Sequence, residues 1–125
     1  MPEITAAAWD AYLRRHPEAH LLQSSAWGAL KDEFGWSPLR LVVGESGAQV
    51  LFRRLPLGLS VAYLPKGPLG TNWPELWPEL DRICRQRRAI FLRVEPDAWE
   101  EDRAKVIAQL PGFHPARPVQ PQRTI

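Results

Sequence analysis

The sequence has few of the features that assign a function by themselves. Its single cysteine, Cys84, excludes a disulfide framework and a thiolate metal set, and we expect it to be a buried core residue. His16 and His20 are four residues apart, but Pro17 breaks the helix that would align them as metal ligands. Glycine-rich phosphate loops and the Gly-x-Ser-x-Gly nucleophile elbow are also missing. We therefore expect neither a metal nor a cofactor.

The net charge and the hydropathy of the chain give no strong sign of a nucleic-acid partner or of a membrane span. The formal net charge of +2 is too small to indicate a DNA partner, although four arginines cluster late in the chain: Arg82, Arg85, Arg87 and Arg88. We interpret them as cations at a helix C-terminus, with nucleic acid as the alternative. No apolar run is long enough to cross a bilayer, and the first residues do not resemble a signal peptide. We expect a cytoplasmic protein, or one peripheral to the inner face of the membrane.

What the chain does contain is apolar residues, tryptophan and proline. Hydrophobic residues make up 45% of the 125 positions and charged residues 24%, the range of an ordinary globular protein. A chain of this length forms one domain at most and can bury a core. Six tryptophans must mostly be buried or lie at an interface, and thirteen prolines predict many defined turns.

Two helices are predicted near the N-terminus. The first begins at Thr5 or just after it and ends before Pro17. The second begins at Ser24 or Ser25, either of which can cap it, and ends near Phe34. The apolar residues of the second helix recur at i, i+3 and i+7 and predict a buried stripe: Trp27, Leu30 and Phe34.

Residues 39–64 predict three strands with short connections. Strands 39–43 and 48–55 form a hairpin around the turn 44–47, and a third strand covers 60–64. Successive strands joined this closely pair antiparallel.

The rest of the chain predicts alternating helix and strand. Pro74 and Pro78 suit the first turn of a helix, and residues 89–94 form a compact apolar run typical of a central strand. Asp97 can cap a last helix with Trp99 and Ile107 on its inner face. The final residues, 124–125, read as the start of a further strand.

The sum is an α+β fold with a mixed, mostly antiparallel sheet flanked by helices. This order of elements is also that of the first part of the N-acetyltransferase-like (GNAT) fold. We therefore expect residues 1–125 to form a single, truncated GNAT-like domain that is part of a larger protein. The acetyl-CoA pyrophosphate loop of GNAT enzymes is absent, which weighs against a simple acetyltransferase.

A rigid loop follows the third strand. Residues 63–70 read YLPKGPLG, in which prolines fix φ and glycines reach conformations that other residues avoid. The loop holds one cation, Lys66, at a strand end, which is a common location for functional residues. We interpret Tyr63 and Trp27 as core residues.

Four segments, in chain order, carry the motifs of one protein family. Residues 23–31 read QSSAWGALK, like the helix motif Gln-Ser-x-x-Trp-Gly-x-x-Lys, and residues 63–68 read YLPKGP, like the loop Tyr-x-Pro-Lys-Gly-Pro. Residues 91–96, FLRVEP, are similar to the strand end Phe-Leu-Arg-Ile-Asp-Pro, and residues 118–125, PVQPQRTI, to the segment Gln-Pro-x-x-Thr. Together they resemble the FemABX (Fem) peptidoglycan aminoacyltransferases.

The resemblance implies an enzyme that moves an amino acid from aminoacyl-tRNA to the side-chain amine of a peptidoglycan precursor's stem peptide. Family members carry two GNAT-like domains, and the resemblance covers most of the first. It therefore implies that residues 1–125 are the N-terminal portion of a larger two-domain enzyme. It implies that the tRNA binds through the missing half and that this fragment is inactive alone. Two alternatives stay open: a GNAT-type acyltransferase with another donor, and a non-catalytic domain that binds a nucleotide-sugar or a lipid-linked diphosphate.

The resemblance also implies site residues. Lys31 matches the lysine that binds the precursor's diphosphate, and its alternative is a solvated lysine on the far side of the helix from Trp27. Glu95 matches an acidic residue near the acceptor amine, where a carboxylate orients an ammonium or accepts its proton; its alternative is a pair with Arg93. Lys66 can also face phosphate, although a loop cation held by the flanking turns is the favoured interpretation.

The last expectation concerns self-association. In an incomplete sheet, strand 89–94 lacks a partner on one side and exposes main-chain donors and acceptors. We predict a homodimer through this exposed edge or through the proline-rich tail 115–125.

Overall fold

A computed structural model describes residues 3–96, 106 and 108–113. Within them the strands are β1 Glu3–Ile4, β2 Trp36–Val43, β3 Ser46–Arg54, β4 Ser60–Pro65 and β5 Ala89–Glu95, and the helices are α1 Ala6–Arg14, α2 Ser25–Asp32 and α3 Trp77–Gln86. The strands form a five-stranded sheet in the order β1-β2-β3-β4-β5. Strands β1 to β4 pair antiparallel, and β5 pairs parallel with β4. The predicted α+β class is confirmed, and the arrangement is consistent with a partial GNAT-like fold.

Helices cover both faces of the sheet. Alternate residues of β3, including Ala48 and Val50, form one core with Leu80 of α3. On the opposite face, Trp9 and Tyr12 of α1 form a second buried cluster. They lie directly on β3 at Gly47, where an added Cβ would be 2.8 Å from the Tyr12 ring.

The helix starts follow local rules. Thr5 Oγ1 accepts the Ala8 N–H at 3.1 Å, and Ser24 Oγ accepts the Trp27 N–H at 3.1 Å, so both predicted caps are confirmed. Helix α1 ends at Arg14, ahead of the predicted proline stop. Strand β1 was not predicted, because two residues are too few to show a period.

The predicted buried stripe of α2 is wrong. Phe34 is 65% exposed and Leu30 is 44% exposed, whereas Gly28 is the buried residue of this helix. Helix α2 approaches the sheet through Gly28, where an added Cβ would be 2.5 Å from Gln49 Oε1. A close approach through glycine fixes which side of the helix faces the sheet, and the apolar stripe lies on another side.

The hairpin and the third strand form as predicted, with shifted bounds. Strand β2 begins at Trp36, three residues before the expected start. The hairpin turn is shorter than predicted and has Gly44 at φ 61°. Pro74 lies in the first turn of the 3₁₀ helix Trp73–Glu75 and Pro78 in that of α3, as predicted.

Two expectations for the second half need correction. Strand β5 lies at the edge of the described sheet, with Phe91 53% exposed, so its apolar run does not mark a central strand there, whereas the open edge predicted for residues 89–94 is present among the described residues. Cys84 is only partly buried and packs against the α3 core, and burial raises the pKa of its thiol to about 11. The predicted cap Asp97, residues 99 and 107, and the terminal strand at 124–125 lie outside the described residues.

Membrane-spanning helices are not part of the described fold. None of the helices in residues 3–96, 106 and 108–113 is both long enough and apolar enough to cross a bilayer.

A buried amide links β3 to β4 where the two strands separate. The ladder pairs Leu51 with Tyr63 but does not continue to Gln49 and Pro65. The fully buried Gln23 side chain lies there instead: Nε2 donates to the carbonyls of Gln49 at 3.1 Å and Pro65 at 2.7 Å, and Oε1 accepts the Gln49 N–H at 2.8 Å. The Gln23 amide therefore takes the place of a strand residue.

Neighbouring contacts enclose this amide. Beyond it, Gly47 and Leu69 exchange two backbone hydrogen bonds, of 3.1 and 2.8 Å. The buried Gln49 side chain donates to the Ser24 carbonyl at 2.8 Å and accepts from Arg40 Nε at 2.9 Å. These bonds tie the start of α2, strand β3 and the loop after β4 into one unit.

We predict that Gln23→Leu lowers the free energy of unfolding by about 3 kcal/mol, because several buried polar groups lose their partners at ~1–3 kcal/mol each. Urea denaturation measures the loss. Gln86→Leu, on the exposed end of α3, is the matched control and should change stability little. Equal stability of the two variants would contradict the structural role of the amide.

Candidate functional site

One face of the sheet carries aromatic and charged side chains between α2 and β5. Trp36 pairs with Arg53 across β2 and β3, and Tyr63 pairs with Leu51 and Arg93 across β3, β4 and β5. Paired residues share a face, and so do alternate residues of one strand, such as Leu51 and Arg53. We call the polar part of this surface the candidate face. It consists of Lys31, Trp36, Arg53, Tyr63, Arg93 and Glu95.

Lys31 lies in the last turn of α2 against two indole rings. Its Nζ is 5.4 Å from the centre of the Trp27 ring and 5.9 Å from that of Trp36. The Arg53 guanidinium carbon is 5.5 Å from the same Trp36 ring. Cations at such distances are attracted by the ring quadrupole. Lys31 is thus half-buried beside Trp27 and does not lie on the far side of the helix from it.

Aromatic contacts continue from Lys31 towards β5. The rings of Trp36 and Tyr63 have centroids 6.4 Å apart with an interplanar angle of 53°, a tilted aromatic pair. The Tyr63 hydroxyl donates a hydrogen bond of 2.5 Å to Glu95 Oε1. The structure therefore brings the predicted Lys31 and Glu95 onto one face and joins them through two aromatic rings.

The Glu95 carboxylate is held at both oxygens. Tyr63 binds Oε1, and Arg93 Nε donates to Oε2 at 2.9 Å, so the predicted pair with Arg93 is present. The Glu95 side chain is nevertheless 35% exposed. An ionised carboxylate has about four acceptor positions, so those left can receive the N–H groups of an ammonium.

Tyr63 is a hydrogen-bond donor in this arrangement and not simply a core residue. Burial raises the pKa of its phenol well above the usual 10.0, and the hydrogen bond and charge of Glu95 raise it further, while Arg93 opposes the shift. The phenol therefore stays protonated near neutral pH and keeps donating to Glu95.

Lys66 lies at the end of the candidate face that carries Glu95. It follows Pro65, which pairs with Glu95 across β4 and β5, and its φ of 54° places it in the left-handed region. Gly67 rests on Gln23, where an added Cβ would be 3.0 Å from the side-chain amide carbon. Within the described residues Lys66 forms no ion pair. The geometry matches a loop cation held by its flanking turns.

Sequence reasoning missed Trp36 and Arg53. Their shared face follows from the β2–β3 register, which the motif segments do not contain. The alternation along β3 could have placed Arg53 beside Leu51 once that register was known. Over the described part of the chain, no cluster of three His, Cys, Asp or Glu side chains could hold a metal ion.

We predict that Glu95→Gln lowers the pKa of Tyr63 but leaves it above 10.0, because burial is the larger cause of the shift. The chain has two tyrosines, so in a Tyr12→Phe background the ultraviolet absorbance of phenolate reports Tyr63 alone. Folding raises this pKa, so Tyr63 contributes stability that is fully present below about pH 10 and is lost as the pH rises further. Glu3→Gln is the matched control, and an unchanged midpoint in Glu95→Gln would contradict the hydrogen bond.

Comparison with known proteins agrees with the motif resemblance. The sequence profile of the FemAB family matches residues 4–111. The lipid II:glycine glycyltransferase of Staphylococcus saprophyticus is 30% identical over an alignment of 118 positions, and the match covers 86% of this chain and 28% of that protein. Proteins of the same name from Staphylococcus haemolyticus and Staphylococcus aureus are 29% and 31% identical, and each match covers 75% of this chain and 25% of the relative.

These matches cover most of this chain but only part of each relative. The chain spans about a quarter of the length of the curated relatives it matches. The family profile covers nearly all the residues that the structure describes, and the relatives align over most of the chain. The chain therefore belongs to the FemAB family.

Proposed function

We propose that the candidate face binds a peptidoglycan precursor and that this chain is the acceptor-binding part of an aminoacyltransferase. The observation that supports the proposal is the continuous series of contacts from Lys31 through Trp36 and Tyr63 to Glu95. It places a cation and a carboxylate on one partly exposed surface. The relatives, named as lipid II:glycine glycyltransferases, support the same substrate class.

In this proposal the cations receive the precursor's diphosphate. The Lys31 ammonium, a compact charge on a flexible stem, is restrained by the rings of Trp27 and Trp36. Arg53, on the same Trp36 ring, adds a second cation that can bind phosphate oxygens through two N–H groups. Lys66 stays a prediction for a further phosphate contact at the Glu95 end.

Glu95 is proposed to receive the acceptor amine. Its carboxylate orients the ammonium by hydrogen bonding and accepts the proton that the nitrogen must lose before it can attack. The free amine then forms an amide bond with the aminoacyl carbonyl, and the ribose hydroxyl of the tRNA leaves with a proton. Tyr63 and Arg93 act as positioning residues, because their hydrogen bonds fix the two carboxylate oxygens.

The donor side of this proposal rests on the motif resemblance to the family. We propose that aminoacyl-tRNA binds through parts of the full-length relatives that this chain does not match, since the matches cover 25–28% of those proteins. A tRNA donor implies a cytoplasmic location. The homodimer through the β5 edge stays a prediction, and the tail proposed for exchange lies outside the described residues.

We expect Lys31→Ala to weaken binding of a nucleotide-linked precursor by about tenfold or more, because a charge-assisted contact contributes ~1.5–3 kcal/mol. Isothermal titration calorimetry measures the affinity. Thermal stability should stay within the small range of surface substitutions. Arg14→Ala, on the exposed side of α1, is the matched control. Unchanged affinity in Lys31→Ala would contradict the proposed contact between Lys31 and the precursor.

The chain by itself should bind precursor without transferring an amino acid to it. The assay incubates the purified chain with aminoacyl-tRNA and precursor and follows the stem peptide by mass spectrometry. Turnover at an ordinary enzymatic rate would contradict the proposal that donor binding needs the remainder of a full-length family member. Absence of precursor binding would contradict the assignment of the candidate face.

A further inference from the structure

A second exposed surface lies at the opposite end of the sheet from Glu95. The turn Pro56–Gly58 joins β3 to β4 and presents Leu57, which is 88% exposed. No other large apolar side chain in the described part of the chain is as exposed. We define the loop patch as Pro56–Gly58 together with Arg54, which ends β3, and Arg88, which follows α3.

The backbone holds Leu57 in place. The Leu55 N–H donates to the Leu59 carbonyl at 2.8 Å and closes the loop, and Pro56 restricts its φ. Leu57 itself has φ 68°, a left-handed conformation that glycine or asparagine adopts more readily than leucine. Such an outlier at an exposed loop tip supports a functional hypothesis, because the described fold gains no packing from this side chain.

Cations surround the apolar tip. Arg54 and Arg88 are both exposed, and Arg88 Nη1 is 3.6 Å from the position of an added Cβ on Gly58. The Ser60 N–H donates to the Arg88 carbonyl at 3.1 Å, which ties the end of α3 to the start of β4. Neither arginine forms an ion pair with another described residue. Both guanidinium groups are thus available to an external anion.

We propose that the loop patch docks on the surface of an anionic bilayer. Leucine at the tip enters the boundary between headgroups and acyl chains, and the arginines bind lipid phosphates. Further apolar side chains at the same end of the sheet, Phe34 and Ile90, are 65% and 56% exposed. A nucleic acid would be attracted by the arginines but would gain little from an aliphatic tip. The attachment is shallow and reversible.

The docking itself needs no assumption about catalysis, but it also orients the candidate face. Trp36 and Arg53 lie at the strand ends near the loop patch, whereas Glu95 lies beside Pro65 at the far end of β4. The length of β4 separates these ends by roughly 16 Å. This further step rests on the proposed function: a lipid-linked precursor would contact the cations near the membrane and bring its stem peptide to Glu95.

Vesicle flotation tests the proposal with the full chain and no precursor. The vesicles contain either phosphatidylcholine alone or equal parts of phosphatidylcholine and phosphatidylglycerol. We expect binding to the anionic vesicles only. Leu57→Gly should reduce the partition coefficient about tenfold while the melting temperature stays the same or rises, because glycine suits the left-handed conformation. Arg54→Gln and Arg88→Gln should each reduce it about fivefold.

The matched control is Leu21→Ala. Leu21 is 69% exposed but lies near Gln23 and the opposite end of β4, so this variant should bind vesicles like the wild type. Equal binding by Leu57→Gly and the wild type, or no binding to anionic vesicles, would overturn the proposal. So would binding of tRNA that the arginine variants lose and Leu57→Gly retains. Loss of precursor affinity in Lys31→Ala is measured without vesicles, so the two proposals fail independently.

Discussion

The side-chain amide of Gln23 is the interaction on which the arrangement of this protein depends. It is fully buried, and it forms its hydrogen bonds with main-chain groups of β3 and of the last residue of β4. Without it, the strands would separate at Gln49 and Pro65 and leave polar backbone groups unpaired, which is costly in a protein interior. Gln23, which lies just before helix α2 and outside the sheet, thereby supplies the hydrogen bonds that link β3 to β4.

Both ends of the candidate face are positioned from this point. Gln23 directly precedes the cap of α2, so fixing it fixes the start of the helix whose last turn carries Lys31. Pro65, the other partner of the amide, lies beside Glu95 in the β4–β5 ladder. Glycine is needed at two contacts, Gly28 on Gln49 and Gly67 on Gln23, because a Cβ would collide at the first and crowd the second. Gln23, Gly28 and Gly67 belong to the motif segments but lie outside the candidate face, and they position the elements that carry it.

The charged side chains of the candidate face are held by contacts and are still partly exposed to solvent. Aromatic rings limit the movement of Lys31 and Arg53, and two hydrogen bonds hold the Glu95 carboxylate, yet these charged groups keep contact with solvent. Preorganised charges of this kind lose less conformational entropy when a ligand binds, because their long side chains are already ordered. The loop patch differs in kind, because a strained backbone there exposes an apolar side chain instead of restraining a polar one.

The sequence by itself determined the order of the elements and their local ends. Caps at Thr5 and Ser24, prolines in first helical turns and the Gly44 hairpin are short-range effects, which neighbouring residues are sufficient to specify. The motif resemblance also identified the family, together with Lys31 and Glu95 as candidates.

Tertiary structure alone decided which side of α2 faces the sheet and the contacts of Trp36 with Lys31, Arg53 and Tyr63. The periodicity of a helix shows that it has an apolar side, but a close approach at a glycine can bring a different side to the sheet. Register likewise depends on partners distant in the chain, and a face built from β2, β4, β5 and α2 exists only once that register is set.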